Sequence, residues 1–182
     1  VGFPLPGIEV KITDPKTENE LPRGEIGNLE VRGPNVFVGY WNMPEKTKEE
    51  LREDGFFITG DLGLMDADGY VQIIGRDKDL IISGGFNIYP KELELLLDEQ
   101  EGVIESAVIG VPHPDFGETP LGILVREKSA EPKIDKIEKI IKSQLARYKH
   151  PKKFIIIDEL PRNTMGKVQK NLLRDQYRDT FL

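Results

Sequence analysis

Cysteine is absent from all 182 residues, which excludes disulfides, thiolate metal sites and a cysteine nucleophile. Histidine occurs only at His113 and His150, too few for a histidine-built zinc site. Long apolar stretches are missing too. The longest strictly apolar run is Phe154 to Ile157, against the roughly 18 residues that a membrane-spanning helix needs. Val1 to Gly7 lacks a basic start and an apolar stretch, so it does not read as a signal peptide. With Val1 in first place, the chain is expected to be a piece of something longer. Freedom from cysteine suits a reducing cytoplasm, which is the expected location, with organellar targeting left open.

What is present is enough to fold. Apolar residues make up 38% and charged residues 31%, a balance that supports a packed core rather than disorder. The net charge of −7 is unevenly placed: residues 1–75 carry −7, residues 76–132 another −7, and residues 133–182 carry +7. A basic final third on an acidic body points to an anion handled by that third. The acidic pI near 5.0 and the lack of an aromatic–basic repeat argue against nucleic acid. A phosphorylated small molecule fits better.

The first 75 residues read as short antiparallel strands. Ile8, Val10 and Ile12 alternate with charged residues, as do Leu29 and Val31. A charged helix is expected over Pro44 to Asp54, with Pro at its first position. Thr59-Gly60-Asp61 is expected as a turn ending a strand. A hairpin turn at Asp66–Gly69 leads into a strand over Tyr70 to Ile74. That turn resembles part of a calcium loop, but the remaining acidic ligands are absent. The second half predicts a strand at Leu80–Ile82, a Gly-rich loop at Ser83–Gly85, and a helix from Pro90 to about Glu99. Strands follow at Ser106–Val111 and Leu121–Val125, then a helix at Ile134–Leu145, a strand at Phe154–Ile157, and a last helix from about Val168. This βαββαβα order over about 100 residues predicts a small α+β domain.

Four segments carry possible chemistry. In Pro161–Val168, Gly166 precedes Lys167 and puts a cation on a flexible loop, either to meet a ligand or as plain basic surface. It is no Walker P-loop, since the upstream Gly and following Ser/Thr are missing. Asp61 presents one carboxylate that can accept two bonds from a ribose diol, or is simply solvated. Gly75-Arg76-Asp77-Lys78-Asp79 packs two cations among two acids, and a salt-bridged loop is its default reading. Gly84 and Gly85 either let a ligand approach the backbone or make a sharp turn. Asp115-Phe116-Gly117 copies a kinase tripeptide by coincidence.

The order and spacing of these segments are more telling than any one of them. Thr59-Gly60-Asp61, then Gly75 to Gly85 (GRDKDLIISGG), then Leu160 to Lys167 (LPRNTMGK) resemble the late motifs of the adenylate-forming superfamily. These are the AMP-forming acyl-CoA synthetases and their relatives. Gly84 to Glu92 (GGFNIYPKE), Val111 to Glu118 (VPHPDFGE) and Leu160 to Asn171 (LPRNTMGKVQKN) look most like the malonyl-CoA synthetases.

The resemblance implies an α+β architecture in which residues 1–75 form the β-rich end of a large N-terminal domain. Residues 76–78 would be a hinge and 79–182 a small mobile C-terminal domain. It implies that Asp61 binds the ribose hydroxyls of ATP or AMP, with Arg76 also at the nucleotide. Lys78 is implied as the hinge, Lys167 as the catalytic lysine of adenylation, and Gly84 and Gly85 as lining the CoA channel. Asp79 would stabilise the hinge strand. Partners would be a small carboxylic acid, ATP, CoA and the large domain of the same protein, with Mg2+ held mainly by that missing part and no resident metal site here. No nucleic acid and no membrane span are expected. The family's phosphate loop, its Tyr-Gly-x-Thr-Glu segment and the carboxylate pocket lie upstream of this sequence, so the fragment alone is expected to be inactive.

The implied reaction is ATP-dependent formation of an acyl-adenylate and its transfer to CoA, with malonate or a related short dicarboxylate as the acid. Alternatives are a fatty-acid or other monocarboxylate CoA ligase, an adenylation domain loading a carrier protein, a luciferase-like oxygenase and a non-enzymatic binding module. Lys149, Lys152 and Lys153 could steer CoA phosphates or be plain basic surface. Lys167, on an exposed loop, is also a candidate for acetylation, which would remove its charge.

Overall fold

The computed structural model describes residues 1–127 and 130–182. It is α+β, and the chain forms two compact units, Val1–Lys78 and Asp79–Leu182. No described helix is long and apolar enough to cross a membrane.

The first unit is an antiparallel sheet in chain order, made of β1 (Glu9–Thr13), β2 (Gly27–Arg32), β3 (Phe57–Met65) and β4 (Val71–Arg76). The alternation in the sequence splits its two faces. Ile12, Leu29, Met65 and Val71 pack on one face. The other holds Glu30, fully buried, where its carboxylate accepts from Thr13 Oγ1 at 2.6 Å and from Arg52 Nε and Nη2 at 2.8 Å. Lys11 Nζ lies 3.5 Å from the same carboxylate. Burial pushes the Glu30 carboxyl up, but the bonds from Arg52 and Thr13 and the charges of Arg52 and Lys11 outweigh it. The net displacement is below the ordinary carboxylate value.

Helix α1 (Pro44–Glu50) is shorter than the sequence predicts. Leu51 turns extended and bridges to Phe57, while Arg52 N–H bonds the Phe56 carbonyl around the Asp54-Gly55 turn. A hairpin into β3 therefore wins over continued helix. The Asp66–Gly69 turn is the hairpin expected, its Asp66 carboxylate accepting from the Asp68 and Tyr70 amides.

The second unit is a sheet covered on both faces. Its strands are β5 (Ile81–Ser83), β6 (Phe86–Ile88), β7 (Val103–His113), β8 (Gly117–Arg126) and β9 (Lys153–Ile157), in the order β6-β5-β8-β7 with β9 also on β8. All pairs are antiparallel except β8 with β9. Helices α2 (Pro90–Asp98) and α3 (Ile134–Gln144) bury Leu93, Leu97, Ile137 and Ile141 against Ile81, Ile88, Val108 and Leu124. On the opposite face Leu173 of α4 (Lys170–Tyr177) and Leu160 cover Ala107, Ile109, Leu121 and Ile123. Two covered faces explain why Leu121–Val125 is almost wholly apolar. Gly122 leaves the space that the Phe154 ring takes, since a Cβ there would lie 2.5 Å from it.

The second unit holds an element that the sequence does not predict. Gly84-Gly85 does not lead from a strand into a helix but turns a two-residue hairpin, and Phe86–Ile88 is an additional strand, so the order is ββαββαβα.

Candidate functional site

Thr59-Gly60-Asp61 lies inside β3 rather than at a strand end. Glu30 pairs with Ile58 and Asn28 with Leu62, so Leu29 alone faces three residues of β3. This is a bulge, and Gly60 takes the φ of +72° that it requires. Thr59 Oγ1 satisfies the displaced backbone, donating to the Leu29 carbonyl at 2.8 Å and accepting from the Asp61 amide at 3.1 Å. The bulge re-aims Asp61, which pairs across the ladder with Arg76 of β4. Arg76 Nε reaches Asp61 Oδ1 at 2.9 Å and Arg76 Nη1 the Thr59 carbonyl at 3.3 Å. Among the described residues no donor reaches Asp61 Oδ2. The arrangement holds a half-buried carboxylate on one oxygen and presents the other.

The loop after Arg76 is not the internally salt-bridged one expected. Arg76 pairs back to Asp61, and Asp79 pairs with Arg174 of α4 at 2.9 Å. Lys78 is exposed in a short 3-10 turn, Asp77–Asp79, with no carboxylate partner among the described residues.

In the second unit Gly84 and Gly85 have φ of +55° and +84°, the left-handed pair that a two-residue hairpin turn demands. The Gly84 N–H bonds the Phe116 carbonyl at 2.9 Å, in the β7–β8 turn. A side chain on Gly85 would meet nothing within 4 Å, so conformation and not lack of space selects glycine here. Around this hairpin Phe86 and Tyr148 stack at 4.6 Å, and Lys152 Nζ lies 5.1 Å from the Phe116 ring. Phe86, Phe116 and Tyr148 are all exposed. Nothing in the sequence alone marks them: an exposed ring has no periodicity, and Phe116 sits in a tripeptide whose kinase likeness is coincidental.

Lys167 sits on a tight hairpin-like loop. The Asn163 N–H bonds the Lys167 carbonyl at 2.9 Å, and Asn163 Oδ1 accepts from the Met165 and Lys167 amides at 3.0 and 2.9 Å. The ammonium is exposed, with no carboxylate partner among the described residues. Among the described residues it is an unpaired cation on a hydrogen-bonded root.

The basic final third proves to be largely an internal counterpart to the acidic segment before it. Lys136 pairs with Glu101, Lys149 with Glu92, Arg162 with Glu105, Lys170 with Glu94 and Arg174 with Asp79. Much of the +7 therefore neutralises residues 76–132 of the same unit. Lys149, with both Glu92 oxygens at 2.7 Å, is committed to that role. Lys152 and Lys153 carry no ion pair among the described residues. No group of three His, Asp or Glu that could hold a metal ion is found among them either.

Asp61 and Arg76 are thus brought together within the first unit, while Lys167 and the glycine hairpin belong to the second. Residues 1–41 match the AMP-binding enzyme family and residues 92–167 match the AMP-binding enzyme C-terminal domain. The long-chain-fatty-acid–CoA ligase of Salmonella typhimurium is 39% identical over 98% of this chain, which spans 31% of that protein. The crystal structure of ATP-bound MatB from Rhodopseudomonas palustris is 59% identical over the whole chain with a TM-score of 0.95, covering 36% of that protein. The o-succinylbenzoate CoA synthetase of Bacillus subtilis, solved with its acyl-adenylate intermediate, is 37% identical with a TM-score of 0.87 over 94% of this chain and 34% of that one. The chain spans about a third of the length of these relatives. It belongs to the AMP-binding, adenylate-forming enzyme family and carries that family's C-terminal domain.

Proposed function

We propose that this chain is the C-terminal region of an ATP-dependent, AMP-forming acid–CoA ligase whose acid is malonate or a related short dicarboxylate. The observation that carries the reading is Lys167, an ammonium without an ion-pair partner among the described residues, on a hydrogen-bonded loop. In the first half-reaction a carboxylate oxygen attacks the α-phosphorus of ATP, the bond to the β-phosphate bridging oxygen breaks, and pyrophosphate leaves. A fixed cation stabilises the charge that builds on the α-phosphate and aligns the two anions. Asp61 Oδ2 accepts from the ribose hydroxyls, with Arg76 holding the other oxygen. In the second half-reaction the CoA sulfur attacks the acyl carbonyl, its proton is lost and AMP departs. The Gly84-Gly85 hairpin lines the thiol's approach, and the neighbouring rings with Lys152 suit the nucleotide end of CoA.

The short dicarboxylate rests on two supports. The motifs around Gly84, Val111 and Leu160 resemble malonyl-CoA synthetases, and identity to MatB, 59%, exceeds the 39% shared with the long-chain-fatty-acid ligase. Carboxylate-dependent pyrophosphate exchange on the full-length protein tests the reading with malonate, methylmalonate, acetate and a fatty acid. Exchange with malonate that is lost in Lys167→Ala is the expected result. Exchange with monocarboxylates alone would replace the acid and keep the reaction.

A further inference from the structure

The Asn163–Lys167 loop does not stand free. Arg162, at its base, donates from Nη1 to the Gly166 carbonyl at 2.6 Å and from Nη2 to Glu105 Oε2. A guanidinium is a rigid planar fork, so seating one arm on Glu105 fixes the direction of the other. The Gly166 carbonyl and the Lys167 N–H belong to one peptide plane. Arg162 holds the oxygen of that plane, and Asn163 Oδ1 accepts from its N–H at 2.9 Å. The plane from which the Lys167 side chain departs is therefore clamped at both ends.

Glu105 anchors this clamp to a rigid element, because it lies on β7, the longest strand of the second unit. The far flank of the loop is tied to the same strand. Lys170 Nζ lies 2.5 Å from Glu94 Oε1, which also accepts from the Val108 N–H of β7 at 3.0 Å. The Glu94 side chain is 9% exposed and its loss would disturb the core, whereas Glu105 and Arg162 are 30% and 42% exposed. An ion pair that open adds little to stability, so its geometric role can be separated from folding.

We propose that Glu105 is a positioning residue for Lys167: through Arg162 it fixes the Gly166–Lys167 peptide plane and hence where the ammonium is delivered. The proposal rests on the adenylation reading of Lys167 above. Glu105 acts through Arg162 and is not itself a catalytic group.

The test uses the full-length protein and separates the half-reactions. Glu105→Ala is expected to lower malonate-dependent pyrophosphate exchange roughly tenfold or more, the scale that a small misplacement of a catalytic group produces. Thioester formation from supplied malonyl-adenylate and CoA is expected to stay within about twofold of the unsubstituted protein. Glu105→Gln keeps an acceptor for Arg162 and is expected to recover most of the exchange. Unchanged exchange in Glu105→Ala would overturn the proposal. So would an equal fall in both half-reactions together with a lowered Tm, which would mark Glu105 as merely structural. No exchange with any acid in the unsubstituted protein would overturn the adenylation reading itself.

Discussion

Asp79 accepts a hydrogen bond from Arg174 at 2.9 Å, across 95 residues of chain. The first residue of the second unit is thereby fastened to its last helix. If Lys78 serves as the hinge, this pin confines bending to the residues before Asp79. Both side chains are about a quarter to a third exposed, so Arg174→Ala is expected to destabilise that unit by about 1 kcal/mol. The midpoint of urea unfolding of the 182-residue chain reads this. An unchanged midpoint would show that the pin contributes nothing.

Lys167→Ala in the full-length protein is expected to reduce pyrophosphate exchange by roughly a hundredfold to a thousandfold, the range for removing a charge-stabilising donor. Thioester formation from added acyl-adenylate should persist. Because the side chain is exposed and unpaired among the described residues, stability should change by less than about 0.5 kcal/mol. Lys167→Gln, which mimics the neutral acetylated side chain, should behave the same way.

Asp61→Asn keeps the size of the side chain and removes its charge. It is expected to raise the KM for ATP roughly tenfold or more, since a charge-assisted bond to a hydroxyl contributes about 1.5–3 kcal/mol. The KM for the carboxylic acid should move far less. Equal rises in both would place Asp61 in a structural role.

Glu30 makes the first unit acid-sensitive. Its folded carboxyl titrates below the ordinary value, so the unfolded chain binds the proton more readily. The stabilisation is fully present above the ordinary carboxylate value of about 4.3 and is lost as pH falls below it through the lower folded value. Glu30→Gln should cost about 2 kcal/mol at pH 7, because Arg52 is left with only the exposed Glu18 carboxylate as its counter-charge. It should also flatten the decline that sets in below about pH 5. Urea midpoints across that range distinguish the two proteins.

Gly85→Ala isolates backbone strain. The position has open space and a φ of +84°, so the expected loss of about 1 kcal/mol comes from the left-handed conformation alone. Gly85→Asn should cost less, since asparagine tolerates that region better. Equal losses for the two, read as Tm, would point instead to a steric cause.

Local pattern located most of the strands and all four helices: Ile12 sits where alternation demands, Ile137 where helical spacing demands, and Pro44 at a helix start. It missed β6, since three residues, Phe86–Ile88, are too few to show a period, and a glycine pair before them serves a loop or a turn equally well. The bulge at Gly60 was equally invisible: it depends on what β2 offers opposite, not on local sequence. The exposed loop position of Lys167 was legible, because a Gly-Lys pair after a proline-led turn is a local signal. Its support was not. Glu105 and Arg162 lie 57 residues apart, and only the folded sheet joins them. The same long-range pairing was hidden in the basic final third, much of whose charge is spent on Glu92, Glu94, Glu101, Glu105 and Asp79.

The Glu94 carboxylate has a consequence beyond the loop it helps to hold. It caps the Val108 N–H of β7, and β7 is the outermost strand on its side of the sheet. An outer strand with free backbone donors is a template on which another chain can add a strand. By placing a charge-paired side chain on that donor, the fold guards the flank of β7 against edge-to-edge self-association. Substitutions at Glu94 should therefore show themselves as aggregation on storage or heating.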